Sequence, residues 1–222
     1  MSLMGAIIRT GAIPPDDAPR TVKKRYSEIL SKYLAEEVAE GLRSVGFSNT
    51  KPERAGAGEK AFQGGLGPKK VDVSYSDEQH GLLLAVSIKT ICFPEFGKNL
   101  KNRFGDMCTE AITLHMRFPY SVVNGLFAFP AAAANDTSKA RKVSTFERAT
   151  KLFSTISGRS QHVDAPEKFE DVTMLLFRPI SKDDHDTWIK LTNSKTGNEV
   201  SEEQYFHDLK EQFLRRNPHI SL

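Results

Sequence analysis

Residues 67–90, GPKKVDVSYSDEQHGLLLAVSIKT, constrain the fold more than any other stretch of the chain. Two extended runs flank a polar turn: Val71-Asp72-Val73-Ser74-Tyr75, then Ser76 to Gly81, then Leu82 to Thr90. This pattern predicts a β-hairpin. Leu82-Leu83-Leu84-Ala85-Val86 is apolar at every position, as in a strand covered on both faces at the centre of a sheet. Two charged residues interrupt the apolar setting: Asp72 sits between valines, and Lys89 comes two positions after Ser87. On paired strands they can meet at one end of the sheet. A buried acid and a buried amine are costly unless they serve each other or a bound ion. The plain alternative is a surface hairpin with a solvated ion pair.

The rest of the chain supplies the covering layers. From Thr21, the residues Tyr26, Ile29, Leu30, Tyr33, Leu34, Val38, Leu42 and Val45 recur at three- and four-residue spacing, which predicts a helix that stops near Gly46. Its other side carries Glu28, Lys32, Glu36, Glu37, Glu40 and Arg43, expected as a solvated face. Residues 1–20 contain Gly5, Gly11, Pro14, Pro15 and Pro19 and read as an irregular arm before a single domain over 21–222. Lys51 to Gly67 is rich in Gly, Ala and charge. Its glycines suit either a flexible connector or a backbone that approaches a phosphate.

Beyond Lys89, the basic, amide-rich stretch Lys98 to Gly105 opens a helix through Arg117, with Asp106 and Glu110 four apart on one face. His115 is expected to be packed. Tyr120 to Phe129 is an apolar strand closed by Pro130. Ser138 to Gly158 reads as a basic helix. Lys139, Arg141, Lys142, Arg148, Lys151 and Arg159 make this the best segment for tracking phosphates, a solvated face being the default. Strands near 172–177 and within 183–195, then a capped helix over 201–216, complete the chain.

Composition bounds the function classes. A chain of 222 residues, 39% hydrophobic and 27% charged, suits one soluble globular domain. A net charge of +3 permits nucleic-acid binding without demanding it. No apolar run reaches transmembrane length, and the N-terminus lacks a signal-peptide pattern. Cys92 and Cys108 are too few for a disulfide framework and lack metal-ligand spacing, so the expected compartment is the cytoplasm.

An Asp on one strand, followed by a small residue-x-Lys on the next, resembles the PD-(D/E)xK nuclease superfamily, best known from type II restriction endonucleases. Asp72 matches its first acid and Lys89 its lysine. Val71 stands where the family usually has Pro, and Ser87 where it usually has the second acid. Glu59, linked to Asp72 by a Gly-rich segment, is similar to an upstream glutamate found in many members. The order of elements after Lys89 also resembles the family's: loop, helix with acids, buried strand. Members with Ser at the second-acid position supply the carboxylate from the following helix. That makes Glu110 the candidate, 21 residues beyond Lys89, with Asp106 behind it.

The resemblance implies an α/β fold with a restriction-endonuclease-like mixed central β-sheet flanked by helices. It also implies a Mg²⁺-dependent endonuclease of restriction type that hydrolyses phosphodiester bonds in duplex DNA. Asp72, Glu110 and the Ile88 carbonyl would hold the metal, Lys89 would orient the attacking water or neutralise charge, and Ser87 would hydrogen-bond a metal-bound water. A homodimer is the expected assembly, and no membrane partner is expected. The alternative is a catalytically silent nuclease fold used for nucleic-acid binding or assembly. An unrelated structural α/β protein is the third reading.

Overall fold

The computed structural model of the protein describes residues 2–139 and 142–222. In chain order they form α1 (Leu3–Thr10), α2 (Arg20–Ser44), β1 (Lys60–Gly64), β2 (Gly67–Val71), β3 (Val73–Asp77), β4 (Gly81–Thr90) and α3 (Leu100–His115). There follow β5 (Val122–Pro130), α4 (Thr145–Ser154), β6 (Asp171–Phe177), β7 (Ile189–Asn193), β8 (Glu199–Val200) and α5 (Glu202–Arg216). The architecture is α/β, with a mixed six-stranded sheet ordered β3-β4-β5-β6-β7-β8. β4, β5 and β6 run parallel, while the remaining pairs are antiparallel.

The apolar run Leu82–Val86 lies inside β4, next to the β3 edge. It is apolar throughout because helices cover both faces of the sheet. The crossovers β4-α3-β5 and β5-α4-β6 step across the sheet in the same direction, and the shared handedness of such units puts both helices on one face. There α3 and α4 bury Met107, Ala111, Leu114, Ala149 and Phe153 against Val123, Phe127, Phe129 and Met174. On the other face α1, α2 and α5 bury Ile7, Leu30, Leu34, Leu42, Phe206 and Phe213 against Val86, Ile88, Leu126 and Leu175. Each such fully buried large side chain contributes roughly 1.5–3 kcal/mol. α5 presses so closely on α2 that a Cβ at Gly41 would lie 2.0 Å from the Phe206 ring.

Four expectations need correction. The arm over 1–20 is not irregular throughout, because Leu3–Thr10 is a helix. Ser2 caps it by accepting from the Met4 amide, and Leu3, Ala6 and Ile7 are buried. Glu36 and Glu37 are not solvated: both are buried, Glu36 pairing with Arg9 and Glu37 with Arg9 and Arg54. The 51–67 segment is no flexible connector, since it contributes most of a two-stranded hairpin, β1–β2. Its turn docks on α3, where the Gly65 amide donates to the Thr113 carbonyl at 2.8 Å. A Cβ at Gly64 would lie 2.7 Å from that same carbonyl, so the glycine serves helix contact rather than a phosphate. Finally, the basic helix is shorter than expected. Ser144 and Glu147 form a reciprocal cap that starts α4 at Thr145, leaving Lys139 and Lys142 before it; Arg141 lies outside the described residues.

Among the described residues no helix is long and apolar enough to cross a membrane.

Candidate active site

The 71–75 run is not the single strand expected: Val71 ends β2, and Asp72 occupies the bend where the chain leaves the β1–β2 hairpin and enters β3. The β3–β4 pairing runs only as far as Val73 opposite Val86. The Ile88 amide, two residues further along β4, therefore lies past the ladder's end and donates instead to Asp72 Oδ2 at 2.6 Å. A strand residue points its N–H and C=O to the same side, so the Ile88 carbonyl faces this bend as well. Its side chain packs in the α2-side core.

Alternation along β4 then sorts its neighbours. Val86 and Ile88 face α2, so Ser87 and Lys89 face α3. From α3, Glu110 projects onto this face and is 1% exposed. Lys89 Nζ lies between the two acids, 3.3 Å from Asp72 Oδ2 and 3.2 Å from Glu110 Oε2. The strand bend, the strand end and the crossover helix thus converge on one amine, near the C-terminal end of the parallel strand β4. Open α/β sheets commonly bind ligands at that end of their strands.

Asp106 lies apart from this group, exposed and paired with Arg103. His115 is buried, with Nδ1 2.9 Å from the Pro166 carbonyl oxygen. Glu59 precedes β1 and lines the same cleft as Asp72 and Lys89, a space of about 340 Å³. Lys24, Glu28 and Lys32 of α2 and Arg103 of α3 line it too, with Lys24 paired to Glu28 and Arg103 to Asp106.

Lys69 was not anticipated. It forms an ion pair with Glu110 Oε2 at 3.1 Å, so the one buried oxygen faces two lysines. The signal was present: Lys69 lies two residues before the buried Val71, on the same side of a short strand. No comparable sequence signal marked the cleft-lining Lys24 or Arg103.

The charges strain one another. Burial pushes the Asp72 carboxyl above the ordinary carboxylate range; Lys89 opposes this, the Glu110 charge adds to it, and the Ile88 amide opposes it. Burial also raises Glu59, followed by the Asp72 charge, with Lys70 and Lys89 acting against it. For Lys89, burial works to lower the amine. The Glu110 and Asp72 charges outweigh it and hold the amine above its ordinary value, hence protonated at neutral pH. The carboxylates of Asp72, Glu110 and Glu59 and the Ile88 carbonyl are all oxygen donors, the ligand type that hard divalent cations take. These are the groups that could hold one. Ser87 Oγ, on the same strand face as Lys89, is buried with no hydrogen-bond partner among the described residues.

No protein-family model, curated protein sequence or solved structure matches the chain.

Proposed function

We propose that this protein is a Mg²⁺-dependent endonuclease of the PD-(D/E)xK kind, with a restriction-endonuclease-like fold, acting on duplex DNA. The observation that carries the reading is the placement of Lys89 Nζ between Asp72 and Glu110, one acid from a strand bend and the other from the crossover helix. That constellation meets the chemical need of phosphodiester hydrolysis: oxygen donors for a cation, with an ammonium group beside them. Asp72, Glu110 and the Ile88 carbonyl would hold Mg²⁺, with Glu59 at the cleft wall. When bound, the cation supplies charge to the developing pentacovalent phosphate and acidifies a water. Lys89 orients the attacking oxygen and neutralises charge. Ser87 Oγ accepts from or donates to a water in the same space, which gives the orphaned hydroxyl a partner. The cleft's Lys24, Lys32 and Arg103 guide the phosphate backbone. A two-fold dimer would present two such clefts to the two strands.

The test is cleavage of a sequence-diverse duplex DNA pool by the purified protein in Mg²⁺ and in Mn²⁺. Wild type cuts; Asp72→Asn and Lys89→Met do not, while Asp72→Asn retains or tightens DNA binding because it removes a charge that repels phosphate. Absence of cutting in both metals across the pool, with DNA binding intact, would replace the nuclease by the second reading.

That second reading, a silent nuclease fold used for nucleic-acid binding or assembly, is favoured by one feature: Lys69 and Lys89 both bind Glu110 Oε2. A carboxylate neutralised by two amines can hold a fold together with no metal at all. It predicts DNA binding unaffected by EDTA.

A further inference from the structure

The parallel strands have a second polar cavity at their N-terminal end, away from Lys89. It measures about 210 Å³ and is lined by Arg159, Lys195, Arg215 and Arg216, with Glu170 and Asp171 as its carboxylates. Such a volume is below the range typical of drug-sized ligands and suits a small ion with its contacts.

Both acids are already committed. Glu170 Oε1 accepts from Arg159 Nη1 at 2.9 Å and from Arg216 Nη2 at 3.0 Å, and Oε2 accepts from the Val123 amide at 2.7 Å. Asp171 Oδ1 accepts from the Val172 amide, and Oδ2 from Asn193. One carboxylate therefore holds two guanidinium groups, and Arg159 Nη2 also donates to the Pro119 and His162 carbonyls at 3.0 and 2.8 Å. Arg159 Nε and Arg216 Nη1 are buried with no hydrogen-bond partner among the described residues. Both side chains are more than nine-tenths buried, 1% exposed for Arg159 and 8% for Arg216. Burial depresses the Arg216 guanidinium and the Arg159 charge adds to that, Glu170 acting against both. Lys195 completes the wall by lying over Gly158, where a Cβ would come within 2.2 Å of its Nζ. Gly158 has φ +94°, so the backbone there favours glycine on two counts.

We propose that this cavity is a binding site for a phosphate dianion. Four cations face it against two satisfied acids, and paired guanidinium groups match the oxygens of phosphate with charge-assisted hydrogen bonds. The site is independent of the nuclease reading, since it shares no residue with the Lys89 cleft. The anion could be the free ion or a phosphate monoester at the end of a nucleotide chain; the chemistry recognised is the same.

Isothermal titration of the full chain with inorganic phosphate at low ionic strength tests this. Lys195→Ala/Arg215→Ala removes two exposed cations outside the Glu170 network, so the fold should survive, as circular dichroism would verify. We expect saturable one-to-one binding, weakened at least about tenfold in the double variant. No saturable binding up to about 10 mM phosphate, or equal affinity in the double variant, would overturn the proposal. A 5′-phosphorylated dinucleotide then separates the sources. Competition with phosphate assigns the site to a monoester, and binding of phosphate without competition assigns it to the free ion; either supports the site.

Discussion

Replacing Glu110 with Gln removes one negative charge from a side chain that is 1% exposed and leaves its volume nearly unchanged. Its partners differ in exposure, with Lys89 at 15% and Lys69 at 34%. Truncating one partner of a fully buried pair costs about 3–5 kcal/mol, because the remaining charge is left unmatched. Here the cost is smaller. Lys89 keeps Asp72 at 3.3 Å, Lys69 is exposed enough to turn into water, and Gln retains an acceptor oxygen. A loss of about 1.5–3 kcal/mol follows. For a domain of this length each kcal/mol moves the melting temperature by about 2–4 °C, so the midpoint should fall by about 3–12 °C at pH 7 without metal. Thermal unfolding followed by circular dichroism reads this directly. Lys69→Met alone should cost no more than about 1 kcal/mol, as its amine is one-third exposed. A Glu110→Gln midpoint within about 1 °C of wild type would refute the view that this carboxylate is held by its lysines.

Asp72→Asn should behave in the opposite way. Its carboxyl titrates above the unfolded value, so folding disfavours the charged form, and the variant should be at least as stable as wild type above the carboxylate range while losing cleavage; a large drop in stability would contradict this. Ser87→Ala removes a buried hydroxyl with no partner and should leave stability unchanged or raise it by up to about 1 kcal/mol in urea titrations, with reduced cleavage if the hydroxyl positions water. Gly41→Ala forces a methyl to within 2.0 Å of the Phe206 ring and should cost at least about 1–3 kcal/mol; Phe206→Leu should recover part of it. Asp171 is raised to about 6 by burial, so its folded pKa exceeds the unfolded value of 3.8. Its contribution therefore falls as pH rises from about 4 through 6, by an upper limit of about 3 kcal/mol, and Asp171→Asn should flatten the stability profile in that window.

The parts of this molecule that a sequence reader can recover are those whose cause is local. Leu82–Val86 announces a doubly covered strand, and the Tyr26–Val45 spacing announces a helix, because each follows from burial of adjacent residues. The convergence of Asp72 and Lys89 was legible for the same reason: a hairpin turn brings them together. Glu110 was reached through the vacancy that Ser87 leaves, and the structure brings it to Lys89. Glu36 and Glu37 could not be read, since their burial depends on Arg9 and Arg54, which come from distant parts of the chain. The β1–β2 hairpin was hidden because its glycines answer to the backbone of α3, a neighbour that periodicity cannot reveal. The arginines around Glu170 escaped likewise: Arg159 reads as one more cation of a basic helix until β6 places Glu170 beside it.

The spatial order of the main sheet repeats the order of the chain, β3 through β8. Each strand therefore finds its partner in the strand made just before it, so no pairing has to close more than one hairpin or crossover segment, which limits the loop-closure cost. The helical layer opposite α3 and α4 follows another schedule. α1 and α2 come first, yet α5 must return to meet them: Glu202 accepts from Ser2 Oγ at 3.0 Å and from the Leu3 amide at 2.8 Å, and the Phe213 ring sits 5.0 Å from Phe47. During synthesis on a ribosome, β5 and β6 would be paired while the face that Phe213 seals is still wet. Pulse-labelled hydrogen exchange should then find β4, β5 and β6 protected before α5, and simultaneous protection would show that the last helix is part of the nucleus instead.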